Sequence, residues 1–377
     1  MSRSKPHVAL CTDGVFPHAL GGMQRHSRLL AEHLARTGEL KVTVIHPHAA
    51  QVFDPALGIT EVCIADIDTR RTYLRELWRY SGRVGAELER IAPDVVLAQG
   101  FSVWKGMGRF RGRLIVHPHG LEMFQGITAK ERILGAPFRM VLRYIVRRAS
   151  VVISLGGKIT GLLQRVASGS GCRVEVIPNA VELPEVQAAY PLEGTPLRLL
   201  FVGRFAFNKG LDVLLDVARR LVQEGRAADV RFELAGDGPL LADMNREGLP
   251  ANVVLLGRVD DAQLAQLYAE CHALVLPTRF EGMPTVVLEA MARCKPIFVS
   301  DVGASAELVN MHNGYLLPPG NADALYNAVV DFLARSADVR VKMGVYSHQR
   351  VTELFTWPVI VQRFVVLFAG VAVSRGG

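Results

Sequence analysis

Short apolar runs recur along this 377-residue chain, each followed by a breaker-rich loop and then a stretch of helical character. Runs so short and so apolar read as strands buried on both faces, and strands joined through helices lie parallel. In the first half they cover residues 7–12, 41–46, 94–99, 114–117, 151–155 and 174–177. In the second half they cover residues 197–202, 230–235, 252–256, 272–276 and 296–299. Residues 182–196 lie between the two series, carry three prolines and read as a linker. The pattern predicts two doubly wound α/β domains, residues 1–185 and 186–353, with a cleft where the carboxyl ends of both sheets meet.

Composition agrees with a large buried core: 50% of residues are hydrophobic and 21% charged, which excludes a disordered chain. The cysteines, Cys11, Cys63, Cys172, Cys271 and Cys294, are scattered without a CxxC pair and are expected to be buried reduced thiols of a cytosolic protein. The start, MSRSKPHVAL, runs into the first strand without the apolar core of a signal peptide. The apolar run at 364–373 is far short of a membrane span. A cytoplasmic protein is expected. Charge is uneven: residues 1–190 hold 25 Lys and Arg against 16 Asp and Glu, and the remainder is slightly acidic.

The richest stretch is 272–300, a strand, a loop from Pro277 to Pro284, a helix from Thr285 to Arg293 and a second strand. Pro284 suits a first helical turn, where its missing N–H costs nothing. The Thr285 and Val286 amides are then left facing the crevice, where an anion fits. Glu281 in the loop and Glu289 one turn into the helix are placed to accept bonds from hydroxyls; the alternative is a pair of solvated surface acids. Arg204, after the strand at 197–202, and Lys209 lie five residues apart across a strand-to-helix loop. Such a pair clamps a diphosphate from two sides, or is a solvated turn. Gly21 and Gly22 precede a helix at 23–37 and permit either close approach of an anionic ligand or a plain left-handed turn.

Further motifs are less specific. Asp66-Ile67-Asp68 has the spacing that holds a metal on a nucleotide diphosphate, but it precedes Thr69 and an Arg-rich helix, and capping is the expectation. Residues 104–113 and 130–148 mix basic and large apolar residues. The second reads as a helix broken near 135–137, with Phe138, Val141, Leu142 and Ile145 on one face and Arg139, Arg143 and Arg147 on another. That pattern suits an anionic lipid surface, or an ordinary domain helix with a solvated basic face. Gly236-Asp-Gly-Pro lacks the third glycine of a dinucleotide fingerprint, so NAD is a weak reading.

Taken in order, GG at Gly21, HG at His119, PNAV at Pro178, GRF with Lys209-Gly210, GDGP at Gly236 and EGMPTVVLE at Glu281 resemble the retaining GT-B glycosyltransferases of family four, the group 1 glycosyltransferases. The resemblance covers nearly the whole chain. It departs at Ala180, where the family usually has the Gly of PNG, and at Ala304, where VGG is common. It implies a GT-B fold, two Rossmann-like domains facing each other across a cleft, with a last helix (about 354–377) crossing back onto the first. It further implies transfer of a sugar from a nucleotide-diphosphate sugar to a glycolipid or polysaccharide-precursor acceptor, with retention, as in lipopolysaccharide or polysaccharide biosynthesis.

By the same resemblance Arg204 and Lys209 hold the donor diphosphate, with Gly22 and the amides of Thr285 and Val286 completing the cradle. Glu289 accepts from the ribose, Glu281 from the donor sugar, and His119 meets the sugar near the reacting centre; a buried structural histidine is its alternative. No metal or cofactor is expected, the cations taking that part. The rivals are a nucleotide-sugar epimerase of the same fold and a basic nucleic-acid-binding protein. The basic residues lack interleaved aromatics and no nucleic-acid module is present, so no nucleic-acid partner is expected. The basic first half fits peripheral attachment to the inner face of a membrane. Donor base, sugar, acceptor and linkage are not legible.

Overall fold

The computed structural model describes residues 5–49, 51–68, 70, 72–124, 129–186, 190–191 and 196–373. Two compact units result, one running to Asn179 and resuming at Trp357, the other Ala180–Thr356. Part of the expected linker, 187–189 and 192–195, lies outside the described residues, as does Thr69.

Unit 1 alternates β1 His7–Cys11, α1 Gly22–Thr37, β2 Lys41–His46, β3 Thr60–Cys63, α2 Tyr73–Ile91, β4 Val95–Gln99, β5 Leu114–His117, α3 Ala129–Val146, β6 Val151–Ser154, α4 Gly157–Ala167 and β7 Arg173–Val176. Its seven parallel strands run in the order β3-β2-β1-β4-β5-β6-β7. Strands β4, β5 and β6 are buried throughout, as helices covering both faces of a sheet require. From α2, Tyr80, Val84 and Leu88 recur at helical spacing and pack into one cluster with Val96 and Val116.

Unit 2 alternates β8 Leu197–Val202, α5 Leu211–Gln223, β9 Val230–Ala235, α6 Leu241–Glu247, β10 Val253–Gly257, α7 Asp261–Glu270, β11 Ala273–Leu276, α8 Thr285–Ala292, β12 Ile297–Ser300, α9 Ser305–Leu308, β13 Gly314–Leu317, α10 Ala322–Ala334 and α11 Ala337–Leu354. The strand order is β10-β9-β8-β11-β12-β13, all parallel. The last helix, α12 Trp357–Val373, belongs to unit 1, where Trp357, Ile360, Phe364 and Phe368 are buried and the Trp357 ring stacks on His33 at 5.0 Å.

Two strands were not legible as apolar runs. Both β3 (TEVC) and β13 (GYLL) are sheet edges with partly exposed residues, so one side is free to be polar. The break expected near 135–137 does not occur: α3 runs through Pro137. Arg139 bridges the proline turn, its guanidinium donating to Arg132 O at 2.8 Å and Met123 O at 2.7 Å, while Leu142, Ile145 and Val146 are fully buried below it. Ile145 is therefore core. The cysteine expectation holds for Cys11 and Cys271; Cys63, on edge strand β3, is exposed and Cys172 and Cys294 are half-buried.

Candidate active site

In an open parallel sheet, ligands bind beyond the carboxyl ends of the strands, where the order reverses. In unit 2 the reversal falls between β8 and β11, and the loops leaving those two strands carry Arg204 and Lys209 on one side and Glu281 on the other. After β8, Phe205 is buried; its amide donates to Asp237 O (2.9 Å) and its carbonyl accepts from Leu240 N (3.0 Å), so the GDGP turn fixes the GRF turn. Arg204 is left exposed and has no ion pair among the described residues.

The chain then makes a short turn, Phe207–Lys209, and enters α5 through Gly210 at φ 69°. A Cβ on Gly210 would sit 1.9 Å from Pro277 O, so a residue without one lets the two loops meet. They are stapled there. Thr278 Oγ1 and Arg279 N both donate to Asn208 O, at 2.8 and 2.7 Å, and Arg279 pairs with Asp212. This delivers the Lys209 ammonium onto Glu281 as a half-buried ion pair.

Pro284 is the N-cap of α8, with extended backbone (φ −71°, ψ 115°), one position earlier than the first-turn site the sequence suggested. Val287 N is the first amide engaged, 3.2 Å from Pro284 O, and those of Thr285 and Val286 have no partner among the described residues. Glu289 sits one turn on, half-buried, with the Tyr268 hydroxyl 3.1 Å from its Oε2. Burial first, and the Glu289 charge second, hold the Tyr268 phenol well above its usual range, so it stays a donor to that carboxylate. At Ala304, the departure from VGG, φ is −107° and the amide donates to Gly282 O at 2.8 Å; no glycine is needed. Ala180 likewise is not among the positive-φ residues.

In unit 1 the reversal falls between β1 and β4. Gly22 opens α1 behind Gly21 at φ 152°, and a Cβ on Gly22 would touch nothing within 4 Å. His119 follows β5 in left-handed backbone, φ 59°, with its Nε2 bonded to Gln99 Oε1 at the end of β4. Its ring stacks on His117 at 3.9 Å, and His26 of α1 stands edge-on to both, 5.0 Å from His117 and 4.9 Å from His119. Both ring nitrogens of His26 and both of His117 are buried without a hydrogen-bond partner. Burial pushes His26 down to about 4 and, with the neighbouring imidazoles adding to it, takes His117 and His119 well below the usual histidine range.

The capping role expected of Asp66 and Asp68 is not met at α2, whose N-cap Thr72 has no side-chain bond. Asp66 instead accepts from Ile67 N and Asp68 from Arg70 N, within their own turn. His26, His117, Tyr268 and Arg279 were missed by sequence reading. Only His117-Pro-His119 carried a local signal, two imidazoles flanking a proline after a strand.

Two protein-family models match the chain: "Glycosyltransferase Family 4" over residues 20–184 and "Glycosyl transferases group 1" over residues 196–335. The O-antigen chain mannosyltransferase C of Escherichia coli is 29% identical over 184 residues, 47% of each chain. The sucrose-phosphate synthase of Thermosynechococcus elongatus superposes with a TM-score of 0.82 over 98% of this chain and all of that one, at 22% identity. Anabaena HepE in complex with UDP does so with a TM-score of 0.68, over 97% of this chain and 100% of that one, at 18% identity. The chain spans between about half and three-fifths of the length of the first curated relatives it matches. The fold defines a doubly wound α/β protein, and the family models narrow that class. The chain belongs to the group 1 glycosyltransferases and has the GT-B fold.

Proposed function

We propose that this protein is a retaining, metal-independent hexosyltransferase that moves a sugar from a nucleotide-diphosphate sugar to a glycolipid or polysaccharide-precursor acceptor in the cytoplasm. The observation that carries this is the meeting of Lys209 and Glu281 at the switch point of unit 2, beside the open amides of α8. An ammonium has three donors. One goes to Glu281, which keeps the group aimed and leaves two for phosphate oxygens. With Arg204 and the Thr285 and Val286 amides, these stabilise the charge gathering on the diphosphate as its bond to the anomeric carbon breaks. Glu289, oriented by Tyr268, takes the ribose hydroxyls, and Glu281 those of the sugar. The parts given to Gly22 and His119, in unit 1, rest on the family resemblance. The likeness to an O-antigen mannosyltransferase and to a protein solved with UDP supports a nucleotide-sugar donor and a glycan acceptor.

The test is radiolabelled transfer: nucleotide sugars are screened by thermal shift, where a ligand at 100 times its Kd adds about 2.7 kcal/mol. The stabilising donors are then assayed against lipid-linked acceptors in excess EDTA. Acceptor-dependent incorporation with retained anomeric configuration is expected. A donor that only changes stereochemistry marks the epimerase instead, and loss in EDTA restored by Mn²⁺ defeats the metal-free reading.

The acceptor reading includes peripheral attachment through α3. Among the described residues no helix is long and apolar enough to cross a membrane. On α3 the exposed apolar residues are Ile133, Leu134, Met140 and Tyr144, beside exposed Arg143 and, just past the end of the helix, exposed Arg147. They replace Ile145 and the half-buried Phe138 as the inserting side chains. Binding to vesicles with anionic lipid, released by salt and weakened in an Arg143→Gln, Arg147→Gln variant, is the expected result; equal binding to neutral vesicles refutes it.

A further inference from the structure

His26, His117 and His119 offer ring nitrogens that all lie within 4.8 Å of one another. A buried histidine normally gives its nitrogens to a carbonyl, a carboxylate or water. Here four nitrogens of two fully enclosed rings have no partner among the described residues, and the third ring is the one whose outer nitrogen is tied down. Gln99 Oε1 accepts from His119 Nε2–H, which fixes the tautomer and leaves Nδ1 as the lone-pair nitrogen of that ring. Metal-ligating histidines are oriented by this kind of outer bond. The walls are apolar and aromatic: Trp357 and Phe364 of α12 pack on His26 at 5.4 and 6.3 Å.

We propose that His26, His117 and His119 form a site for one divalent transition-metal ion, zinc being the best match, and that its occupancy inhibits the enzyme by taking His119 away from the substrate. The inhibitory half rests on the glycosyltransferase reading above; the binding half does not. Three imidazoles with a fourth position open to water are a known zinc set, with Zn–N at about 2.0–2.1 Å. A tetrahedral shell of that radius separates the nitrogens by roughly 3.3 Å, and because a lone pair lies in its ring plane, the stacked His117 and His119 rings must also turn out of their parallel arrangement to aim at one ion. Magnesium and calcium, which prefer oxygen, do not fit. The site therefore does not conflict with transfer that needs no metal.

The test uses protein without a histidine tag, stripped with EDTA and dialysed. Zinc is titrated in competition with a chromophoric chelator, and Co²⁺ is added separately for its visible d–d absorption. One tight equivalent is expected, with tetrahedral-type Co²⁺ bands. His26→Gln and His117→Gln should each weaken binding about 100-fold, and Gln99→Leu, which removes only the orienting bond, about tenfold. Circular dichroism and thermal unfolding in EDTA keep a misfolded variant from counting. Zinc should inhibit transfer by the wild type and not by His26→Gln. Wild-type protein that holds less than one equivalent, or variants that bind as tightly as the wild type, overturns the site and assigns the orphan nitrogens to buried water or the metal to exposed groups such as Cys63. The Co²⁺ spectrum needs no turnover, so loss of the transfer reading leaves the metal result intact.

Discussion

The two switch points of this molecule are built on one topology and solved in opposite ways. In unit 2 the charged groups that converge beyond β8 and β11, Arg204 apart, are joined: Lys209 to Glu281, Arg279 to Asp212, Glu289 to Tyr268. In unit 1 the imidazoles near the ends of β4 and β5 are stacked, buried and mostly unbonded. A satisfied network holds a shape and resists change; an unsatisfied one is costly to fold and waits for a partner. Substitutions in the two places should therefore move stability in opposite directions.

The largest effect belongs to unit 2. Lys209→Ala should lower kcat/KM by about 10²–10³-fold, the loss of roughly 3–4 kcal/mol that follows removal of one preorganised charge-stabilising group. It also strands Glu281, half-buried, at a cost of about 1–3 kcal/mol in stability. The checks are steady-state kinetics on a donor found by the screen and a urea unfolding curve. Turnover within a few-fold of wild type in a folded variant would falsify the clamp.

Unit 1 should answer with the other sign. In EDTA, His26→Leu replaces a ring with two orphan nitrogens by an apolar side chain and takes no hydrogen bond from its neighbours among the described residues. The expected gain is about 1 kcal/mol, within the roughly 1–3 kcal/mol that an unsatisfied buried group costs. A loss of stability in the metal-free protein would mean that the nitrogens have partners after all, and the contrast between the switch points would fall.

That contrast also marks what was legible in the sequence. The strands buried on two faces announced themselves as apolar runs, and with them came the switch point and the loops bearing Arg204, Lys209 and Glu281. Pairing across loops did not show. Lys209 and Glu281 are 72 residues apart, and their meeting depends on Gly210 passing under Pro277 O, which no local pattern encodes. The histidine cluster was less legible still, because His26 sits at an ordinary core position of a helix and only the fold sets it against His117. Two of the four edge strands, β3 and β13, and the unbroken α3 were missed for local reasons: solvent relieves the first pair of apolar patterning, and Arg139 bridges the helix.

Unit 2 has its own orphan, which supplies a test by pH. His272 is buried; its Nδ1 accepts from Arg198 N at 2.9 Å and its Nε2 has no partner among the described residues. Burial, with the charges of Arg340, Lys295 and Arg198 adding to it, lowers His272 to about 4 from 6.5. Tyr190, whose ring meets it edge-on at 6.0 Å, adds no charge. The unfolded chain takes up this proton near pH 6.5 and the folded one does not until about 4. Stability is thus complete above pH 6.5 and falls as pH drops toward 4, by at most about 1.4 kcal/mol per pH unit. His272→Asn keeps an acceptor for Arg198 N and removes the titration. Urea midpoints at several pH values should show a shallower slope for the variant; parallel slopes would return His272 to an ordinary solvated histidine.

The smallest effect concerns the family glycine that this chain lacks. Ala304 is fully buried, caps α9 at φ −107° and donates to Gly282 O, while Gly303 before it takes the left-handed turn at φ 54°, where a Cβ would lie 2.2 Å from that same oxygen. Only Gly303 is therefore demanded by the turn. Restoring the second glycine, Ala304→Gly, changes no hydrogen bond and frees the unfolded chain, so it should destabilise by about 0.4–1 kcal/mol. The loop it closes carries Glu281, so kcat/KM on the donor should change less than twofold if the Lys209 pair and the Thr278 and Arg279 bonds to Asn208 hold that loop. A drop in turnover far beyond the small loss of stability would show that Ala304, rather than those staples, sets the position of Glu281, and the account of unit 2 as a network held by its own pairs would have to be rebuilt around the β12–α9 turn.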